Sequence, residues 1–328
     1  MSFKIRGTGA VRPLDQLSSA EIDHRIGHAP GWTERHFAIE TRAVASGDET
    51  SSSLGTAAAR QALGQAGWAA EQLDVIIGAC GVMEQPIPST ACLIQRRLGL
   101  GNSGIPAFDV NATCLSFLLA LETVALGFAA GRWRRALIVA ADIASAALDF
   151  RTPEASVIFG DGAAAVVLEA QHDSADWRAY RLETYGDDAD ACRLEAGGTR
   201  IRPHDDLPRF LAHATFRMDG RGVFRATARR FPGFLARLLA QAELGAGEID
   251  LVIPHQASAA ALEYMGRSLP QARKGIVNIF ADHGNQIAAS MPSALHSAIA
   301  TGRLQRGDIA LLIGSSAGIS LGGAVLRY

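Results

Sequence analysis

Two stretches of this chain repeat each other at nearly one offset, and no other feature of the sequence constrains its fold as strongly. "QAGWAAEQLDVII" from Gln65 aligns without a gap on "QAELGAGEIDLVI" from Gln241, 176 residues later. "GRWRRALIVAAD" from Gly131 is matched in the same order by "GRLQRGDIALLIG" from Gly302, 171 residues on. Each is a helix end, a polar turn and a strand. Two ordered matches of this kind predict two halves built from one βα-rich unit, residues 1–170 and 215–328. The segment 171–214 between them, rich in charge, Gly and Pro, reads as a connecting excursion that forms a pocket wall. Short β-branched runs such as "LDVIIGAC", "AAAVVLEA" and "IALLIGSS" alternate with alanine-rich helical stretches, which predicts an α/β architecture with buried central strands.

The duplication also serves as a ruler. Seventeen residues before Gly131 stands Cys114, and seventeen before Gly302 stands Asn285. The two are expected to occupy equivalent positions, each at the start of a long apolar helix facing the axis between the halves. The free N–H groups and positive potential of a helix N-terminus lower a thiol's pKa, so the expectation for Cys114 is a stabilised thiolate. Taken alone, Cys114 in "DVNATCLSFLLA" is as well read as a small buried hydrophobe. A nucleophilic thiol needs a proton acceptor or hydrogen-bond donor beside it. Of the nine histidines only His255, in "LVIPHQAS", directly follows a strongly apolar strand, and His283, two residues from Asn285, is the alternative. One half would then supply a thiol, and the other an imidazole and a carboxamide.

Composition removes whole classes of function. With 31 basic and 33 acidic residues spread along the chain, the formal net charge of −2 argues against nucleic acid as a partner. The four cysteines, Cys80, Cys92, Cys114 and Cys192, show no CxxC spacing, so neither a disulfide framework nor a metal site is expected. No apolar run approaches the ~18 residues of a membrane span. "MSFKIRGTGAV" lacks the apolar core of a signal peptide, and a cytoplasmic location is expected.

Five motifs, in order, resemble the β-ketoacyl-acyl carrier protein synthase III family of condensing enzymes, within the thiolase superfamily. They are "AFDVNATCLSF" around Cys114, "FGDGAAAVVL" from Phe159, "PHQA" around His255, "HGNQIAAS" around Asn285 and the C-terminal "SAGISLGG". The likeness runs from "IRGTGAV" to "GAVLRY". The resemblance implies a five-layered αβαβα thiolase-like fold of two duplicated halves, in a homodimer. It implies that Cys114 takes an acyl group from a thioester, with the N–H groups of Cys114 and Ala317 as the oxyanion hole. His255 and Asn285 would serve the decarboxylation of a malonyl thioester. Acyl-CoA and malonyl-CoA, or malonyl-acyl carrier protein, enter as substrates, and no further cofactor is implied. The alternatives are an acyltransferase that passes the acyl group to a hydroxyl or amine, and a non-catalytic partner subunit of an active homologue.

The substrate contacts implied are Trp32 for the adenine of coenzyme A, Arg35 for its phosphate and Ser258 for the pantetheine arm. Departures from the family pattern lie at Ser258 and Ala260, where the family carries Asn and Arg, and at Pro153 and Glu154, where it carries an Arg-Gly pair. Ile87 in "MEQPIPST" stands where the family places a residue, often Phe, that closes the acyl pocket across the dimer interface. Its smaller side chain either deepens that pocket or leaves room that neighbours refill.

Overall fold

In the N-terminal half the sheet runs Phe3–Val11, Gly162–Ala170, Arg135–Asp142, Val75–Gly78, Ala107–Asp109 in spatial order. Its first two pairings are antiparallel and its last two parallel. A second sheet runs Trp177–Thr184, Ser320–Arg327, Ile309–Ser316, Leu251–Pro254 with the same sequence of directions. The counterpart of the fifth strand shrinks to one parallel bridge between Val252 and Ile276. This is a computed structural model, and it describes residues 3–171 and 176–328.

The layers follow from which face each apolar residue takes. On the strand Val75–Gly78, Val75 and Ile77 point to the centre of the molecule while Ile76 packs outward, the period-two alternation of a sheet covered on both sides. The outer face meets the helix Ser51–Ala66 through Leu54, Ala58 and Ala62. The second sheet repeats the arrangement, with Leu311 and Ile313 packed outward on the helix Gly220–Ala242 and Ala310 and Leu312 inward. Between the sheets lie the helices Ser116–Ala129 and Ser290–Ala300, whose side chains pack against both inner faces. Their sequences, "SFLLALETVALGFA" and "SMPSALHSAIA", are apolar nearly all round, as a layer without access to water requires. The result is α/β, five-layered αβαβα, as expected.

The boundaries need one correction. The strand Trp177–Thr184, placed by sequence within the excursion 171–214, is the edge strand of the C-terminal sheet, paired with Ser320–Arg327. It occupies the place that Phe3–Val11 holds in the first sheet. A lone strand without a neighbouring repeat signal cannot be assigned to a half by sequence. Beyond it, the short strands Cys192–Arg193 and Arg217–Met218 pair, enclosing a helix at Leu207–His213; residues 172–175 lie outside the described residues.

Candidate active site

Two tight elbows meet between the halves. In the first, the strand Ala107–Asp109 gives way to a 3-10 turn, Thr113–Leu115, that feeds the central helix from Ser116. Thr113 is held at φ +53°, a left-handed conformation rare for a β-branched residue. It is stabilised locally: the Thr113 N–H donates to Asn111 Oδ1 at 2.8 Å, and the Ser116 hydroxyl donates to the Thr113 carbonyl at 2.7 Å. The second elbow repeats each element. Ile287 has φ +50°, its N–H donates to Asn285 Oδ1 at 2.9 Å, and the Ser290 hydroxyl lies 2.9 Å from the Ile287 carbonyl.

This pairing corrects the ruler. Asn285 corresponds to Asn111 and Cys114 to Ala288, at an offset of 174 residues rather than 171. The first central helix has 14 residues and the second 11, so counting back from the Gly-Arg pair overshoots by one helical turn. Nor is Asn285 at a helix start, since it stands two residues ahead of the 3-10 turn Ile287–Ala289, and the helix begins at Ser290.

The elbows pack together through glycines. A Cβ at Gly81 would lie 2.4 Å from Ile287 Cγ2 and 3.3 Å from the Thr113 backbone, so only glycine lets the two turns touch. His255 directly follows the strand Leu251–Pro254 and is 2% exposed. It faces Leu115 across Gly314, where a Cβ would stand 2.6 Å from His255 Cβ and 3.3 Å from a Leu115 methyl. The "FGDG" segment docks the Asn285 loop. The Asn285 N–H donates to the Ile158 carbonyl at 2.7 Å, and the Gly160 N–H donates to the Asn285 carbonyl at 3.2 Å. Side chains at Gly160 or Gly162 would collide with the His283 carbonyl or the Gln286 amide. With Oδ1 engaged by Ile287, the Asn285 amide must present its NH₂, which donates to the Ala257 carbonyl at 3.3 Å.

The electrostatics of the thiol differ from the expectation. Burial pushes the Cys114 thiol well above its ordinary range, the Cys192 thiol and the Asp142 carboxylate add to the rise, and the N–H groups of Cys114 and Ala317 beside the sulfur only partly oppose it. Desolvation outweighs the helix terminus, and the resting group is a neutral thiol. The two N–H groups that favour its ionisation are those implied for the oxyanion hole. Alkylation of Cys114 by iodoacetamide should keep accelerating with pH through and beyond pH 9, because thiolate is the reactive form; a plateau near pH 7 would contradict the buried-thiol reading.

Burial alone lowers His255 to about 4, so the imidazole is neutral at pH 7. Its Nδ1 lies 2.6 Å from Ser290 Oγ, which also accepts from the Gln256 N–H at 3.3 Å. The one Ser290 proton sets the tautomer: directed at Nδ1 it leaves an Nε2–H donor, and directed at the Ile287 carbonyl it leaves Nε2 a bare acceptor. His283 is not in this arrangement, because its Nδ1 pairs with Asp282 at 2.8 Å. Ser290, Gly314, Gln256 and Asp142 escaped sequence reasoning. Small or polar residues inside apolar segments carry no signal of their own until the fold supplies their neighbours.

The substrate contacts fare less uniformly. The Trp32 indole is stacked by two of the chain's own imidazoles, His28 at 4.0 Å and 4° and His36 at 4.6 Å and 29°. An adenine stacking on Trp32 would compete with them for the indole. Arg35 is exposed beside Gly31. The Ser258 hydroxyl accepts from the Ala261 N–H at 3.2 Å, capping the helix Ala259–Ser268, a local task that leaves it one lone pair and its O–H. Ile87 is 85% exposed on the single chain. Among the described residues, no cluster of three or more His, Cys, Asp or Glu is arranged to hold a metal, and no helix is long and apolar enough to cross a membrane.

Comparison with known proteins decides the family. Residues 108–188 match the family described as 3-oxoacyl-[acyl-carrier-protein (ACP)] synthase III, and residues 239–328 match its C-terminal part. A β-ketoacyl-[acyl-carrier-protein] synthase III of Chelativorans sp. (strain BNC1) is 34% identical over 99% of this chain and 98% of that protein. The chain belongs to the β-ketoacyl-acyl carrier protein synthase III family. The crystal structure of the Aquifex aeolicus family member superposes with a TM-score of 0.89 at 31% identity, covering 100% of both chains. A priming β-ketosynthase from the R1128 polyketide biosynthetic pathway superposes with a TM-score of 0.90 at 26% identity, over 99% of this chain and 96% of that one. As a synthase III family member the chain is an enzyme of the acyltransferase class, and the two elbows and the strand-end histidine are its candidate catalytic parts.

Proposed function

We propose that this synthase catalyses decarboxylative Claisen condensation of an acyl thioester with a malonyl thioester, in fatty acid or specialised-metabolite biosynthesis. The observation that carries the reading is the convergence of the two elbows, which sets the Asn285 amide and the His255 imidazole beside the turn that bears Cys114. In the first step the Cys114 sulfur attacks the donor carbonyl. The donor's carbon–sulfur bond breaks, its thiol leaves with the Cys114 proton, and the transient oxyanion is held by the Cys114 and Ala317 N–H groups. In the second step the malonyl thioester loses carbon dioxide. The enolate oxygen takes hydrogen bonds from Asn285 Nδ2 and from His255 Nε2–H, the tautomer in which Ser290 donates to Nδ1. The enolate carbon attacks the acyl-Cys114 thioester, and the sulfur, leaving as thiolate, recovers a proton.

Coenzyme A or phosphopantetheine thioesters enter as substrates, and this chemistry calls for no further cofactor. The working form in this reading is a cytoplasmic homodimer in which Ile87 of each subunit closes its partner's acyl pocket, a role its exposure on the single chain supports.

Ser290→Ala should slow carbon dioxide release from a malonyl thioester about tenfold while acyl-enzyme still forms, since it removes the partner that fixes the His255 tautomer. Equal loss of both steps would contradict the tautomer assignment. The function itself is tested with acyl-CoAs of graded length, read by intact-protein mass, followed by malonyl thioester. The expected result is one acyl group on Cys114 and release of carbon dioxide. Acylation without that release would instead mark transfer to a hydroxyl or amine, and no acylation would mark a partner subunit of an active homologue.

A further inference from the structure

One buried acid has no part in the steps above. Asp142 ends the strand Arg135–Asp142 and is 0% exposed. Its carboxylate accepts from the Val82 N–H at 2.7 Å and the Ala289 N–H at 3.1 Å, and the Gly81 and Ala288 N–H groups also point to it. Two of these four donors belong to the N-terminal half and two to the turn that follows Asn285. No cation is among them. A carboxylate stripped of water without a counter-ion is costly, and burial lifts its pKa to about 7 even against four N–H donors. A buried acid is a dear way to join two loops that an apolar contact could join, unless the hydrogen bonds fix a geometry that packing alone would leave loose.

The geometry that would be fixed is evident. Gly81 is the residue against which Thr113 and Ile287 both pack. Asp142 therefore grips the loop lying between the elbows with one oxygen and the second elbow with the other.

We propose that Asp142 is a positioning residue for the condensation step, its carboxylate tying the Gly81–Val82 loop to the Ala288–Ala289 turn and so setting where the Asn285 amide stands relative to Cys114. The proposal rests on the condensing reading of the site. Asp142 does not touch the reacting atoms, and it acts on them in two ways: through the position of Asn285 and through its charge. The titratable groups that feel that charge are the thiols of Cys114 and Cys80, the latter also exposed to Asp109 and Glu84.

Asp142→Asn separates the two effects. Its NH₂ would face the N–H groups of one of the two segments, which loses its acceptor and so breaks the tie, while the negative charge beside the thiol disappears. Acyl-enzyme should still form on Cys114. Carbon dioxide release from malonyl thioester should fall about 10²-fold, the scale of an ångström of misplacement. The pH profile of Cys114 alkylation should move to lower pH, which a merely structural role would not produce. Asp142→Glu, which keeps the charge but displaces it, should reproduce the slower decarboxylation with the alkylation profile of the parent enzyme, and it provides the test if the amide variant does not fold. Unchanged decarboxylation in either folded variant would overturn the proposal, as would a parallel loss of acylation and decarboxylation with an unmoved profile. If the unaltered enzyme itself releases no carbon dioxide from malonyl thioester, the condensing reading fails instead, so the two failures are distinguishable.

Discussion

Cys114→Ala should take up no acyl group from any acyl thioester, with the intact-protein mass unchanged after exposure to donors that fully modify the parent enzyme. The expectation is loss of the acyl-enzyme, because Cys114, and not the neighbouring Cys192, is the thiol whose ionisation the Cys114 and Ala317 N–H groups favour. His255 and Asn285 are held by hydrogen bonds to Ser290 and Ile287, and Cys80 has its sulfur engaged by the Ala141 N–H at 3.4 Å. Acyl-enzyme accumulating at another residue would overturn the assignment. Decarboxylation of malonyl thioester should survive in part in this variant, since the groups proposed to hold the enolate are untouched. That residual activity separates the loss of a nucleophile from the collapse of the site.

Asn285→Ala should give the opposite pattern, with acyl-enzyme forming at close to the parent rate and decarboxylation falling by about 10²–10³-fold, the usual consequence of deleting one hydrogen-bond donor to a developing oxyanion. Asn285 Oδ1 also accepts the Ile287 N–H, so the variant removes a support of the second elbow as well as a donor. Asn285→Asp distinguishes the two. The acid retains an acceptor for Ile287 but offers no NH₂, and it should be as slow as the alanine variant if donation is the point. Recovery of decarboxylation in the aspartate variant would show that Asn285 works through the elbow alone. Measuring both steps on the same preparations, by acyl-enzyme mass and by carbon dioxide release, keeps the comparison independent of folding yield.

Much of this arrangement is legible in the sequence, and the reasons are specific. The repeat from Gln65 to Gln241 corresponds to real structure, since the turns at Ala70–Gln72 and Ala246–Glu248 and the strands that follow keep the same spacing. His255 was legible because a proline ends an apolar strand immediately before it. The ruler failed over its last turn of helix, because helix length is not encoded in the Gly-Arg signal at the far end. Yet it led to Cys114 and Asn285, whose elbows do face each other, since an error of three residues along one helix stays within the same junction. The ionisation of the thiol is not legible for another reason: the helix terminus is visible in sequence, whereas desolvation depends on the layers above and below. Trp32 shows the same limit, as nothing in "HAPGWTERH" says that both imidazoles fold onto one indole.

The left-handed backbone at Thr113 and Ile287 sets a trade between durability and activity. A residue other than glycine held at such φ stores on the order of 1–3 kcal/mol that the rest of the fold must offset. Glycine at either position would relieve that strain at the expense of a looser unfolded chain. It would also free the turn to wander, and with it the thiol or the amide whose placement the chemistry needs. Selection for heat resistance alone would thus bear on Thr113, whereas Ile287, a buried core side chain, would lose more in packing than its backbone regains. The molecule keeps its tension in the two places where a relaxed backbone would be least useful.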